Sequence, residues 1–318
     1  MFPTRFHSAF YCVPDGTDVI IVTDKICIFT PALRKRFFII SINMEDLKVT
    51  LIQTELHWEN RNKNLKMFEE KITQINQKTD LIILPEMFNS GFTMNTLDVA
   101  EKMDGESINW MSQQASKYGC VITGSLIIEE NGMYFNRLIW MDAKGNYQIY
   151  NKRHLFRIAN EQHYFESGNE KIIVVLKGWK ICPLICYDLR FPVWSRNKAS
   201  GPKTQDSRHR TQEYTAYDVL IYVANWPERR NAHWKLLLPA RAIENQAYVV
   251  GVNRVGKDRN EISYSGDSIV IHPRGEALSN LKAQEDAIET IILNYSELEE
   301  LRKSFPVGLD ADDFETFP

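Results

Sequence analysis

Two periodicities of apolar residues run through most of this chain. From Met44 onward, near-continuous apolar runs such as "LKVTLIQTEL", "LIILPE" and "CVITGSLIIEE" read as buried strands. Between the first two, Leu65, Phe68, Ile72 and Ile75 recur at spacings of three and four and mark one face of a helix. A second helix is predicted over about residues 107–117, and the strand "YFNRLIWMD" follows a turn at Asn131 and Gly132. A turn at Lys144 and Gly145 leads to "QIYNKRH". A second round runs through "KIIVVLKGWKICPLICYD" and "YDVLIYVANW", a helix over about residues 232–246, and then "AYVVGVN", "DSIVIHPRG" and "AIETIILN". Strands and helices interleaved in this way predict a layered α/β domain.

Residues 1–43 break the pattern, because apolar and polar residues mix there without a sustained period and Arg34, Lys35 and Arg36 interrupt them. Met44 is the expected natural start, with 1–43 as an extension outside the core and 44–318 as one domain. An extra element packed on the surface is the alternative. Residues 197–212 are polar and basic, contain Gly201-Pro202, and read as a solvated surface insertion longer than most connections. The closing "LDADDFETFP" reads as a solvated acidic tail.

Composition narrows the class. With 318 residues, 44% of them hydrophobic, the chain can bury a sizeable core. A formal net charge of -3 supplies no basic field, so nucleic acid is not an expected partner. No apolar run approaches the roughly 18 to 20 residues that span a bilayer, so neither is a membrane. Cys12, Cys27, Cys120, Cys182 and Cys186 are odd in number and lack metal-type pairing, which fits a reducing compartment and places the protein in the cytoplasm.

Three segments carry chemistry. In "WKICPLICYDLRFP" an apolar strand ends at Cys186, at the carboxyl edge where open α/β sheets bind ligands, and the next N–H, of Tyr187, can face a developing oxyanion if the chain turns sharply. Taken alone, such a cysteine is equally a small buried hydrophobe, as Cys182 in the same strand illustrates. Pro183 inside the strand calls for a bulge or one unpaired edge. In "LIILPEMFNSGF" the strand stops at Pro85 and Glu86 follows, where lost hydration would push a carboxyl toward values useful to a general base. In "YNKRHLFRIANEQHYFESGN" Lys152 leaves a strand edge, suited to stabilise an oxyanion, and Glu161 follows in a loop. Each of these charges, read singly, is also a solvated one. His154, Glu161 and His163 lack the helical pairing of zinc hydrolases, so no metal and no cofactor is expected. A cysteine-histidine dyad using His154, His163 or His233 is the rival arrangement, although nothing local pairs any of them with Cys186.

Together, in the order glutamate, lysine, cysteine, these segments resemble the nitrilase superfamily of carbon-nitrogen hydrolases. "LPEMFNSGF", "NKRHLF", "CYDLRFP", "ANWP" followed by "HW", and "ARAIENQAYVVGVNR" are most similar to the omega-amidase branch, and the resemblance covers about residues 47–305. It implies a four-layer αββα sandwich, Glu86 as general base, Lys152 as oxyanion-stabilising lysine, Cys186 as nucleophile and Glu161 as the second glutamate, ahead of a glycine aligned with Gly168. Glu166 competes for that last alignment. It also implies a homodimer and a small-molecule amide substrate, the ω-amide of a 2-oxo dicarboxylic acid. Arg230, Trp226 and Phe92 are candidates to hold that substrate beside the Tyr187 N–H, while Arg190 and Arg241 are assigned to structure as partners of nearby acidic residues. Alternatives are another branch of the superfamily, such as a nitrilase, an aliphatic amidase or a carbamoyl hydrolase, and an inactive binding protein on the same fold. The extension at 1–43 and the insertion at 197–212 depart from the family pattern.

Overall fold

A computed structural model describes residues 44–198 and 215–312 with their side chains, and the backbone of four strands further upstream. The chain divides into two compact units, Met1–Glu45 and Asp46–Pro318. In the first, β1 (Ala9–Cys12), β2 (Asp18–Val22), β3 (Lys25–Phe29) and β4 (Phe38–Ser41) form an antiparallel sheet in the order β1-β2-β3-β4. The sequence reading found no regular structure here, because strands of four or five residues are too short for a period to declare itself. The basic cluster at 34–36, most of the insertion at 197–212 and the end of the acidic tail lie outside the described residues.

In the second unit, β5 (Leu47–Gln53), β6 (Leu81–Ile83), β7 (Val121–Glu130), β8 (Met133–Met141) and β9 (Tyr147–Asn151) make up one sheet with β17 (Ala287–Leu293), in the order β17-β5-β6-β7-β8-β9. The parallel trio β5-β6-β7 is buried on both faces, which explains why those runs are almost wholly apolar. A second sheet contains β10 (Val174–Leu176), β11 (Trp179–Ile185), β12 (Val219–Ala224), β13 (Tyr248–Asn253) and β16 (Ile269–Ile271) in that spatial order. A short ribbon of β14 (Val255–Lys257) and β15 (Ser263–Ser265) lies between β13 and β16 in sequence.

Helices cover the outer faces. α1 (Arg61–Thr73) starts where the Asn60 side chain accepts the Lys63 N–H, and buries Leu65, Phe68 and Ile72 of the predicted stripe, while Ile75 lies past its end and packs partly buried on the same core. After the single turn α2 (Thr96–Val99) comes α3 (Glu106–Tyr118), which ends at left-handed Gly119; it packs Ile108, Met111 and Ala115 with the α1 stripe over Ile52, Ile82, Ile122 and Ile139 of the first sheet. α4 (Pro192–Ser195) is again a single turn, and α5 (Asn231–Asn245) packs on β13 and β16 of the second sheet. α6 (Tyr295–Ser304) closes the unit. The sheets meet through β13 against β5 and β11 against β8. The result is the four-layer αββα sandwich that the resemblance implied. Pro183 is accommodated because β10 pairs only with the first residues of β11, up to Ile181, and among the described residues no strand pairs with that edge beyond. No helix among the described residues is long and apolar enough to cross a membrane.

Candidate active site

The ends of β6, β9, β11 and β12 converge on one crevice. The chain leaves β6 through Pro85, and Met87 adopts a left-handed φ of 44°, held by its N–H donating to Ser125 Oγ at 2.9 Å. That turn drives Glu86 inward to full burial. Its Oε1 accepts from Lys152 Nζ and from Asn136 Nδ2, each at 2.8 Å, and its Oε2 accepts the Asn225 backbone N–H at 2.8 Å. The burial expected of Glu86 is present, but the carboxylate is not stranded: three donors surround it.

Lys152 is equally dry. Its ammonium donates to Glu86 and to both oxygens of Glu161, at 3.0 and 2.9 Å, and lies 5.4 Å from the centre of the Phe92 ring. Burial alone would pull its pKa down, but Glu161 and Glu86 outweigh it and leave the lysine more firmly protonated than in water. Gly168 fixes the strand exit: its N–H donates to the Lys152 carbonyl at 2.9 Å, and a Cβ would stand 2.1 Å from the Asn151 carbonyl oxygen. Glu161 sits in a one-turn helix, Glu161–His163, and its Oε2 also accepts the Phe156 N–H at 2.5 Å. Burial, with Glu86 close by, raises its pKa against the pull of Lys152. Glu166 is exposed and lies outside this cluster.

Cys186 follows directly on β11 with φ at 44°, a conformation that costs a non-glycine residue on the order of 1–3 kcal/mol and is kept only where surroundings enforce it. Asp188 does the enforcing. Fully buried, it accepts from the Ile185 N–H (3.1 Å), the Tyr150 hydroxyl (2.7 Å), the His154 N–H (3.0 Å) and His154 Nδ1 (2.8 Å), so one carboxylate ties the cysteine turn to the segment that carries Lys152. The His154 ring stacks on Phe191 with centres 3.6 Å apart. Desolvation first, and Glu86 second, push the Cys186 thiol well above its ordinary range, so the resting sulfur keeps its proton.

A cavity of about 590 Å³ opens on this cluster, lined by Cys186 and Lys152 at its floor. Phe92, Phe156, Tyr187 and Trp226 form much of its wall, and Arg190, Arg229 and Arg230 bring positive charge. Arg230 lies over the Phe156 ring at 4.9 Å, and Arg190 over Trp226 at 4.8 Å. Neither has a carboxylate within ion-pair distance among the described residues. Desolvation and the charges of Arg229 and Arg190 lower the pKa of Arg230, a sign that these cations crowd one another.

Folding therefore brings together all the residues singled out from sequence: Glu86, Lys152, Cys186 and Glu161 in the cluster, Phe92, Tyr187, Trp226 and Arg230 around the cavity. One expectation is corrected. Arg190 is not the partner of an acidic neighbour, since Asp188 is fully occupied by Tyr150, His154 and Ile185; it turns to the cavity instead. Arg241 is structural as expected, donating to Glu244 three residues on and to the Leu189 carbonyl. The cysteine-histidine dyad is also overturned, since His154 pairs with Asp188, His233 with Arg190, and His163 is exposed. Sequence reading missed Asn136, which donates to both Glu86 and Glu161 (2.8 and 3.2 Å), and the Asn225 N–H. A lone amide inside the apolar run "YFNRLIWMD" was the available signal.

A family model for carbon-nitrogen hydrolases matches residues 48–303, and the chain belongs to that family. It is thus an enzyme of the class that hydrolyses carbon-nitrogen bonds other than peptide bonds. Among its relatives, Omega-amidase YafV of Escherichia coli (strain K12) is 42% identical over 271 residues, which covers 85% of this chain and 99% of that one. The 2-oxoglutaramate amidase of Bacillus subtilis (strain 168) is 32% identical over 262 residues, covering 81% and 95%. A solved structure from Xanthomonas campestris, a CN-hydrolase superfamily protein with an arsenic adduct in its active site, superposes with a TM-score of 0.81 at 39% identity and covers 86% of this chain and all of that one.

Proposed function

We propose that this protein is an omega-amidase: it hydrolyses the ω-amide of small 2-oxo dicarboxylic acid monoamides, 2-oxoglutaramate and 2-oxosuccinamate, to the acid and ammonia. The observation that carries this reading is the cavity's polarity, with a buried thiol, carboxylate and ammonium at one end and, on its wall, two arginines, Arg190 and Arg230, that have no carboxylate partner among the described residues. A neutral amide fits the first end and a substrate carboxylate the second.

Glu86 takes the thiol proton as Cys186 attacks the amide carbon, and the carbonyl oxygen, now anionic, is held by Lys152 and the Tyr187 N–H. That N–H lies in the first turn of the short helix Cys186–Arg190, where backbone donors have no intrahelical acceptor. The tetrahedral intermediate collapses, the carbon-nitrogen bond breaks, and Glu86 passes its proton to the departing ammonia. Water then attacks the thioester with Glu86 as base, the carbon-sulfur bond breaks, and the proton returns to sulfur. Glu161 and Asn136 hold the lysine and the base in register.

The hydrolase domain in this reading is 44–318, the enzyme works in the cytoplasm, and it forms a homodimer, for which exposed Leu236 and Ile243 on one face of α5, with Val193 on α4, offer apolar area. The test is ammonia release from 2-oxoglutaramate, a matched nitrile, a carbamoyl amino acid and glutamine, with Cys186→Ala alongside. Preference for 2-oxoglutaramate, lost in the variant, is expected; preference for the nitrile moves the protein to another branch, and no acyl adduct on Cys186 by mass spectrometry makes it a binding protein.

A further inference from the structure

We propose that His233 is a positioning residue for Arg190: in its neutral form it aims the guanidinium at an anionic substrate, and its protonation releases that grip. This rests on the reading of Arg190 as the group that receives the substrate carboxylate. Arg190 Nη2 lies 2.9 Å from His233 Nδ1. A guanidinium has donors only, so the contact requires a lone pair on Nδ1, and the imidazole must be neutral with its proton on Nε2. The second constraint on Arg190 is aromatic, from the Trp226 face at 4.8 Å and the Tyr187 ring at 5.9 Å. Faces of this kind hold a cation at a height but leave it free to turn in plane, whereas the hydrogen bond to His233 sets which N–H groups point to the cavity.

Protonated His233 carries a hydrogen on Nδ1 and a positive charge. Donor then meets donor and cation meets cation, so Arg190 leaves this orientation. Among the described residues, the elements packed against α5 carry these titratable or charged groups: Glu228, Arg229 and Arg230 in the turn before it, Cys186, Tyr187, Asp188 and Arg190 in the nucleophile turn, and Tyr248 in β13, with none in β16. Asp188 is fully engaged by Tyr150, His154 and Ile185, and Glu228 accepts from Gln284. No carboxylate among them forms an ion pair with His233. Lys235, the nearest charged residue on the helix itself, pairs with Asp267.

The experiment measures KM and kcat for 2-oxoglutaramate and for an uncharged amide of equal length, from about pH 7.5 down to about pH 5.5, across the range where an imidazole titrates. It uses the unmodified protein, His233→Ala, and His233→Asn, whose Oδ1 takes the place of Nδ1 and does not titrate. In the unmodified protein KM for the anion rises about tenfold on acidification, the order of one hydrogen bond to a charged group, while the KM of the uncharged amide stays flat. His233→Ala starts at the high KM at neutral pH and shows no further rise; His233→Asn keeps the low KM at every pH. The inference is overturned if His233→Ala leaves the anion's KM profile unchanged, if both substrates move together, or if His233→Asn fails to restore KM although it folds. Should the unmodified protein prefer an uncharged amide, the functional reading fails and this role fails with it. Should another anionic amide be preferred, only the substrate assignment changes and the same comparison is run on that amide.

Discussion

The two ends of the cavity satisfy their charges in opposite ways. At the floor, Glu86, Lys152 and Glu161 are fully buried, and every charge has a partner of the other sign within 3 Å. On the wall, Arg190 and Arg230 are only partly buried and rest on aromatic rings, with one histidine lone pair between them and no carboxylate among the described residues. Buried charges must be paired to be tolerated at all, so the floor is rigid and its geometry is over-determined. Half-exposed cations can wait unpaired, because water pays part of their solvation and a substrate anion can supply the rest. In the proposed mechanism one end holds the reacting groups still and the other is completed by what it binds.

The comparison can be broken most decisively at the sulfur. Cys186→Ala is expected to lower kcat by more than the roughly 10²- to 10⁴-fold that loss of a general base costs, while anionic substrate still binds. Glu86→Gln, which keeps the shape but not the base, falls within that 10²- to 10⁴-fold range, and single-turnover trapping should find acylation slowed. Lys152→Met leaves two carboxylates buried against each other. A destabilisation of about 3–5 kcal/mol in urea titration is expected, together with loss of activity, whereas a floor whose charges mattered little would unfold normally. On the wall, Arg190→Lys should raise KM for the anionic substrate about 10- to 100-fold and change kcat by far less, because the loss is of a charged hydrogen bond in the ground state and transition state alike. If kcat falls as much as KM rises, the two ends are not separate. The smallest effect concerns the resting thiol: since burial raises its pKa, the thiolate fraction grows with pH without levelling, and the rate of Cys186 alkylation is expected to keep climbing past pH 9. A plateau below that pH would mean a thiolate already present in the free enzyme.

Several parts of this arrangement were open to reading in one dimension. The apolar runs and the stripe Leu65, Phe68, Ile72 announce their elements because strand and helix periods are local properties of consecutive residues. Glu86 and Cys186 stand out for the same reason, each being the first polar or reactive residue after an apolar strand. Where strands are shorter than a period, as in Ala9–Cys12 and Phe38–Ser41, that signal vanishes. Gly168 was picked out only by alignment, and its physical reason, the Asn151 carbonyl in the space of a Cβ, is a packing fact.

By itself the sequence determined the alternating α/β elements, the strand ends that bear Glu86, Lys152 and Cys186, and the family to which their order belongs. Tertiary structure alone decided the partnerships. Glu86 meets Asn225 across 139 positions and Lys152 across 66, Asp188 reaches back 34 to His154, and Arg190 turns to His233 rather than to its acidic neighbour. Periodicity tells which face a residue occupies, but a hydrogen bond depends on where two separate segments end in space, and that is fixed only once the sheets have packed.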